Sequence, residues 1–390
     1  MKWQEEVSSQ AWERLTAVAR QAVASSPAKP SGWRALARLL RQQGAVDEAR
    51  SVLQEAVVAL PNDPDLRLAL VGSLMAADEL DQAGHELDVA AHLAPEDRRI
   101  TLFRFALACR RDSTAEAAEL ASEVDRLQPD SPALISYLRK RARSADELQA
   151  VVERCDAAVA RRPSDLDPLY HKAIALAKLG RRQEAADLMR PDELPEVRDL
   201  SPPEGFEAHT DFSRRLADEI LADPTLQPDP KNKATRGGRQ TRGLQHVPGS
   251  VLAAVVAQIK EAVEEYAARQ AVRSSLMAAA MPARASLDRW AVVYGKGGRQ
   301  VSHRHPKGWI SGVYYVSGSQ AAGRGIYPGA LLLGSLDPDE CDGPLPWTVR
   351  TVEPVPGRLV MFPSYLPHGT EPAAEEGTRI SIAFDVVAAD

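Results

Sequence analysis

Apolar and small residues in the first half of the chain recur with a period too long for a single helix or strand. Prolines fall at Pro27, Pro61, Pro95, Pro129 and Pro163, each 34 residues after the last. Twelve residues before the last four stand Ala49, Ala83, Ala117 and Val151; Leu15 is the odd first member and Ala185 continues the series. Five residues before the prolines come Ala22, Ala56, Ala90, Val124 and Ala158. Between these marks the apolar positions follow helical spacing. They are clearest in GWRALARLLRQQGAVDEARSVLQEAVVALP (32–61), with Trp33, Leu36, Leu40, Gly44, Ala49, Leu53 and Ala56, and again in LYHKAIALAKLGRRQEAADLM (169–189). Each period therefore predicts a pair of helices whose alanines let backbones approach closely and whose apolar face is buried only against neighbouring pairs. An all-α solenoid is expected over residues 1–195.

That pattern is similar to the tetratricopeptide repeat, TPR. The resemblance implies a concave face that docks a peptide or protein partner, or a scaffold without a ligand. After Met189 the periodicity dissolves. RPDELPEVRDLSPPEGF (190–206) is broken by four prolines and marks a junction, so residues 196–245 are expected to be linker and loop. Within them FSRRLADEILADP (212–224) predicts a short helix. DPKNKATRGGRQTRGLQH (229–246) is basic and glycine-rich without apolar periodicity; it reads as a loop, either a solvated surface or a lid beside a site. VLAAVVAQIKEAVEEYAARQ (251–270) predicts an amphipathic helix capped by Ser250. From Leu287 onward, short apolar runs punctuated by glycine and proline predict an all-β unit, giving a second domain over 246–390.

The chemistry gathers in that unit. The chain has eight histidines, and two of them flank one residue in HRHPKGWISGVYY (303–315). In extended backbone, positions i and i+2 share a face, so His303 and His305 converge while Arg304 turns away. PGRLVMFP (356–363) predicts a strand leading into SYLPH, which delivers His368 from a turn. RISIAFDVV (379–387) predicts another strand, with Arg379 and Ser381 on one face. Two neighbouring imidazoles, a distant third and an Arg/Ser pair are the ligand set and anion clamp of a jelly-roll metal site. Trp309 and the Tyr314–Tyr315 pair read as core, with Trp309 and Tyr315 as candidate walls of a substrate pocket. Arg299, Arg304 and Lys307 are expected at the surface, and His85, His92, His171 and His209 as structural or surface histidines.

These residues resemble the iron(II)- and 2-oxoglutarate-dependent oxygenases, in particular the group with H-x-H-x(5)-SGVYY, LFPSxLxH and RISIAF. The matching positions are His303, His305, Ser311 to Tyr315, Phe362 to Ser364, His368 and Arg379 to Ser381. YGKGGRQVSHRH (294–305) is also similar to a prolyl-hydroxylase-like motif through Tyr294 and Gly297. The resemblance implies an α+β multidomain protein: an all-α TPR solenoid followed by a double-stranded β-helix, or jelly-roll, oxygenase domain with flanking helices. It implies Fe(II) held by His303, His305 and His368 and 2-oxoglutarate bound by Arg379, with Ser381 and Tyr294 as further donors. No catalytic residue beyond the metal centre is implied. The reaction implied is oxidation of a C–H bond in a peptide, protein or small molecule, with succinate and CO2 released. The sequence departs from the usual pattern of two histidines and a carboxylate, because His305 stands at the carboxylate position. Either His305 is a ligand, or it lines the site while water, substrate or a loop carboxylate (Asp337, Asp339 or Glu340) fills that place. Rival readings are a three-histidine zinc hydrolase or lyase, an iron dioxygenase that needs no 2-oxoglutarate, and a non-catalytic TPR adaptor.

Composition narrows the setting. At 390 residues two domains are expected. A formal net charge of −6 gives no bulk attraction to nucleic acid or anionic membrane. Three scattered cysteines form no disulfide framework and suit a reducing compartment. MKWQEEVSSQAW is acidic where a secretion signal needs an apolar run, so a cytoplasmic chain is expected.

Overall fold

A computed structural model describes residues 1–4, 9–230, 233–318, 327–341, 343–374 and 377–389. The chain forms two compact units, Glu5–Tyr137 and a second made of Met1–Gln4 with Leu138–Asp390.

The first unit is built from helices α1 (Ser9–Ser25), α2 (Pro30–Gln42), α3 (Val46–Ala59), α4 (Pro64–Ala76), α5 (Leu80–Leu93), α6 (Arg98–Arg110) and α7 (Thr114–Leu127), and α8 (Pro132–Arg141) crosses into the second. The repeat marks behave as their chemistry requires. Every one of the five spaced prolines lies in a turn between helices. Ala49, Ala83, Ala117, Ala56, Ala90 and Val124 are all buried, because a larger side chain there would push the helix backbones apart at a cost of about 1–3 kcal/mol. Leu36, Leu40, Leu53, Leu66, Leu74 and Leu87 fill the core between them. Helix starts are fixed locally: Asp63 accepts the Leu66 amide and Asp97 accepts that of Arg99. The first helix departs from the expectation. Leu15 and Ala22 are exposed, and Thr16, Ala19 and Val23 are buried instead. Among the described residues α1 packs mainly against α2, with only the exposed Arg20–Glu48 pair reaching α3, so a position that meets a second helix elsewhere lies open there.

The second unit starts with the last repeats, α9 (Ala145–Arg161), α10 (Asp167–Lys178) and α11 (Arg182–Met189), with Val151, Ala158, Ala173 and Ala185 buried in register. It continues through α12 (His209–Leu221), α13 (Val251–Arg273) and α14 (Ser275–Ala280). Its strands are β1 (Lys2–Trp3), β2 (Glu196–Asp199), β3 (Gln227–Pro228), β4 (Thr235–Gln240), β5 (Arg284–Gln300), β6 (Ile310–Ser317), β7 (Leu331–Leu333), β8 (Arg350–Val352), β9 (Arg358–Pro363), β10 (His368–Thr370) and β11 (Arg379–Ala388). The larger sheet runs β2-β9-β6-β11-β5-β4-β3, antiparallel throughout, with β1 added parallel to β5. The smaller sheet runs β10-β7-β8. The protein is thus an α+β chain of helical repeats followed by antiparallel sheets, as expected.

Two boundaries differ from the expectation. The compact units part at Tyr137, inside α8, and not at residue 195, because α9 to α11 belong with the sheet. The stretch expected to be linker and loop contributes β2, α12, β3 and β4 to that unit. TRGGRQ of β4 lacks apolar alternation because backbone, not side chain, does the covering. A Cβ on Gly238 would lie 2.5 Å from the Tyr294 ring, and Gly237 sits at φ +62 where the pairing slips. Lys231 and Asn232 of that stretch lie outside the described residues. The helix at 251 starts where expected, the Ser250 hydroxyl accepting the Ala253 amide; the Glu219 carboxylate takes the next two free amides, of Val251 and Leu252.

Candidate metal centre

His303 and His368 face each other as a reciprocal backbone pair: His303 N donates to His368 O at 2.9 Å and His368 N to His303 O at 2.8 Å. That bridge joins the end of β5 to the start of β10. Pro306 and Gly308 then turn the chain so that the His305 amide donates to Ser364 O, just after β9. Ring centroids are 4.3 Å apart for His303–His368 and 5.0 Å for each pair involving His305. One nitrogen from each of the three lies within 4.8 Å of the others. The convergence expected from the H-x-H spacing is present.

The tautomers follow from the partners. His303 Nδ1 lies 2.9 Å from Val301 O, His368 Nδ1 3.1 Å from Leu366 O, and His305 Nδ1 2.5 Å from Asp385 Oδ1. Carbonyls and carboxylates only accept, so each Nδ1 carries a hydrogen and each Nε2 is the atom turned toward the other rings. Burial, helped by nearby His305, pushes His303 down to about 4. Burial and the two other rings hold His368 well below the ordinary histidine range. Both are neutral at pH 7, as metal ligation requires. Among the described residues no carboxylate joins the cluster.

A narrow pocket opens beside the rings, with ≈ 20 Å³ of free water-sized space. Arg379 and Ser381 line it, together with Val292, Leu331 and Phe362. Arg379 is only 2% exposed, yet its Nε and Nη1 are buried without a hydrogen-bond partner. Its guanidinium carbon lies 5.3 Å from the Tyr294 ring centroid and 5.0 Å from that of Tyr315. The register explains this: Arg379 is opposite Tyr294 on β5, and Ser381 opposite Tyr315 on β6. The two rings lie against the cation, and Nε and Nη1 are left without a partner.

Residues 288–385 match a family model described as "Putative 2OG-Fe(II) oxygenase", and residues 30–72 match a tetratricopeptide repeat model. Comparison with curated proteins gives no match. Solved structures similar to it include a Pseudomonas putida prolyl-4-hydroxylase, 17% identical over 50% of this chain and 93% of that one, at TM-score 0.34. A Trichoplax adhaerens prolyl hydroxylase, solved with a hypoxia inducible factor peptide fragment, is 14% identical over 54% and 92%, at TM-score 0.35. A tetratricopeptide repeat protein from Parabacteroides merdae is 13% identical over 46% and 72%, at TM-score 0.37.

The expected site residues divide. His303, His305, His368, Arg379 and Ser381 meet in one pocket. Tyr294 does not present its hydroxyl there: the OH lies 3.5 Å from Thr235 Oγ1, and only the ring serves, under Arg379. Trp309 and Tyr315 are buried and lie outside the pocket lining; both are core. Trp290 and Gln300 take wall positions that the sequence did not single out. Glu340 pairs with Arg139 at 2.5 Å and is no ligand.

Arg304 is not the surface residue expected. Its Nε donates to Asp167 Oδ1 at 2.6 Å, its Nη2 lies 2.9 Å from His171 Nε2, and its guanidinium sits 4.1 Å from the Tyr170 centroid. Arg139 Nε donates to His171 Nδ1 at 3.0 Å. With Nδ1 accepting from Arg139, the ring's hydrogen sits on Nε2, which faces Asp167 Oδ2 at 3.5 Å, and burial pushes His171 down to about 4. Burial alone would raise Asp167, but the bonds to His171 and Arg304 outweigh it and bring the carboxyl down to about 2. A chain of ion pairs and hydrogen bonds, Glu340–Arg139–His171–Asp167–Arg304, thus holds the residue between His303 and His305 to α10.

Proposed function

We propose that this chain is an Fe(II)- and 2-oxoglutarate-dependent oxygenase that oxidises a C–H group of a peptide, protein or small molecule. The observation that carries the reading is Arg379. A buried guanidinium without a counter-ion costs several kcal/mol of lost hydration. One set beside three converging imidazoles is a site waiting for a carboxylate. Its free Nε and Nη1 suit a two-pronged grip on one end of a keto-diacid.

The donor set fits a divalent first-row ion, with three neutral imidazoles and room left for exogenous ligands. Ferrous iron chelated by 2-oxoglutarate would supply O2-dependent oxidative decarboxylation, yielding succinate and CO2 with oxidation of a substrate C–H bond. The protein's own part is positioning. His303, His305 and His368 are turned by their Nδ1 partners so that no rotation is needed on binding. Ser381 stands one strand step from Arg379, within the same pocket. Val292, Leu331 and Phe362 keep water from the reacting atoms. Because the free space is small, the keto-diacid must part the side chains at the mouth as it enters. The helical repeats serve to dock a substrate or a partner, in keeping with the repeat match. No helix is long and apolar enough to cross a membrane.

The test is turnover under air with Fe(II) and ascorbate, measuring succinate formed from 2-oxoglutarate. A hydrolase, a lyase, a 2-oxoglutarate-independent dioxygenase or a bare adaptor would form none. Anaerobic Fe(II) with 2-oxoglutarate is expected to give the weak visible charge-transfer band of the chelate. Absence of both signals refutes the proposal.

A further inference from the structure

The three imidazoles are not equivalent. His303 and His368 hand their Nδ1 hydrogens to neutral backbone carbonyls, whereas His305 hands its hydrogen to a carboxylate, Asp385 Oδ1, at 2.5 Å. The two partners are 13% and 15% exposed at the side chain, so water competes weakly for the bond.

The surroundings hold this carboxylate in place. Asp385 lies on β11, at the same period-2 face as Arg379, Ser381 and Ala383, the last three of which line the pocket. Its oxygen also receives the Ser311 hydroxyl at 2.6 Å, and Ser311 lies 2.8 Å from the Ser364 hydroxyl. A hydroxyl has one hydrogen and a carboxylate only accepts, so Ser311 donates to Asp385 and takes the hydrogen of Ser364. Ser364 also accepts the His305 amide through its carbonyl. Gly308 makes the closure possible. A Cβ there would lie 2.3 Å from Ser364 Oγ and 3.5 Å from the Asp385 carboxyl carbon. On its other side, the His305 ring packs 5.5 Å from the ring of Trp290.

We propose that Asp385 is a positioning residue of the metal centre, acting through His305: it aims Nε2 at the other two rings and lends negative charge to a ligand set that has none. This rests on the metal-centre reading given above. A carboxylate behind a ligating imidazole fixes its tautomer and raises its basicity, and loss of such a partner typically costs 10–100-fold in metal affinity. The three neutral imidazoles leave the full double charge of the ion uncompensated, and Asp385 offsets part of it from one residue further out.

The experiment is titration of the metal-free full chain with Co(II), read by calorimetry and by the cobalt d–d absorption. The variants are Asp385→Asn, Asp385→Glu, His305→Ala, the double variant His305→Ala/Asp385→Asn, and Asp288→Asn as a charge control. Asp288 is the cross-strand neighbour of Asp385 on β5. Asp385→Asn is expected to weaken Co(II) binding about 10–100-fold and to shift the d–d band. The same change in the His305→Ala background is expected to do nothing further, and Asp288→Asn to stay within about threefold of wild type. Asp385→Glu, which keeps the charge, should recover part of the loss. In the metal-free protein, nitrogen-15 histidine spectra should show His305 carrying its hydrogen on Nδ1, a readout that needs no variant to fold. Affinity unchanged in Asp385→Asn, an equal loss in the His305→Ala background, or His305 carrying its hydrogen on Nε2 overturns the proposal. Those results would leave the metal centre standing if wild type binds Co(II) and His368→Ala does not. Failure of wild type to bind Co(II) overturns both.

Discussion

Two arginines beside the histidine cluster, one half-buried and one buried, stand in different conditions. Arg304, held by α10, has its guanidinium spread over Asp167, His171 and the face of Tyr170. Arg379, on β11, is more deeply buried and has aromatic faces beside it but no partner for Nε and Nη1. The same side chain therefore does two jobs within one compact unit. Where its hydrogen bonds are met internally it fastens structure; where they are left open we propose that it takes a ligand. Both carry the same charge; satisfaction of donors separates the two.

The sharpest break of this comparison starts with the metal. We expect His368→Ala to abolish stoichiometric metal binding, measured as metal content after reconstitution and desalting; retained full occupancy would remove His368 from the ligands. Next comes Arg304→Ala, which strands Asp167 as an uncompensated buried charge. A loss of roughly 3 kcal/mol in urea denaturation of the metal-free protein is expected, near the low end for a buried pair because Arg304 is 23% exposed. Arg379→Met should behave oppositely. It removes a cation with unmet donors, so the melting temperature of the metal-free protein should hold or rise. Meanwhile 2-oxoglutarate affinity should drop about 100-fold or more, from two lost charge-assisted bonds. A destabilised Arg379→Met protein would mean that the arginine is structural after all.

The pH dependence is smaller. His303 is depressed to about 4 in the folded chain, against about 6.5 unfolded. Between those values the unfolded chain takes up a proton that the folded chain refuses. The contribution is therefore complete above pH 6.5 and is lost as pH falls toward 4. Replacing His303 by Asn should flatten the stability–pH curve there by about 1.4 kcal/mol per pH unit; an unchanged slope would refute the neutral buried ring. Smallest of all, Ser381→Ala should raise the 2-oxoglutarate dissociation constant only a few-fold, the worth of one neutral hydrogen bond. No change at all would show that Ser381 only lines the pocket.

Much of this was legible in the sequence, for reasons that can be named. The spaced prolines and alanines announced the helix pairs because close backbone approach tolerates few residue types. The H-x-H spacing, the turn before His368 and the Arg379-x-Ser381 strand placed five pocket residues because period-2 geometry is local. Asp385 was missed although the same rule reaches it: Arg379, Ser381, Ala383 and Asp385 step along one face, and an acid in an otherwise apolar strand asks for a partner. What that partner would be was not readable, since His305 lies eighty residues away and the contact is made by sheet topology. Asp167 and His171 were hidden inside a repeat whose pattern already accounted for them. The β4 strand was hidden because its glycines cover Tyr294 with backbone, leaving no apolar alternation to see.

The salt-bridged tether from Arg304 to α10 also bears on how such a chain can change over generations. Solenoids ordinarily lengthen and shorten by whole modules. Here the final module is captive, since deleting it would leave an arginine between two histidines with nothing to hold. Removal of a helix pair downstream of α8 breaks this chain of bonds, whereas removal upstream of α8 leaves its partners in place.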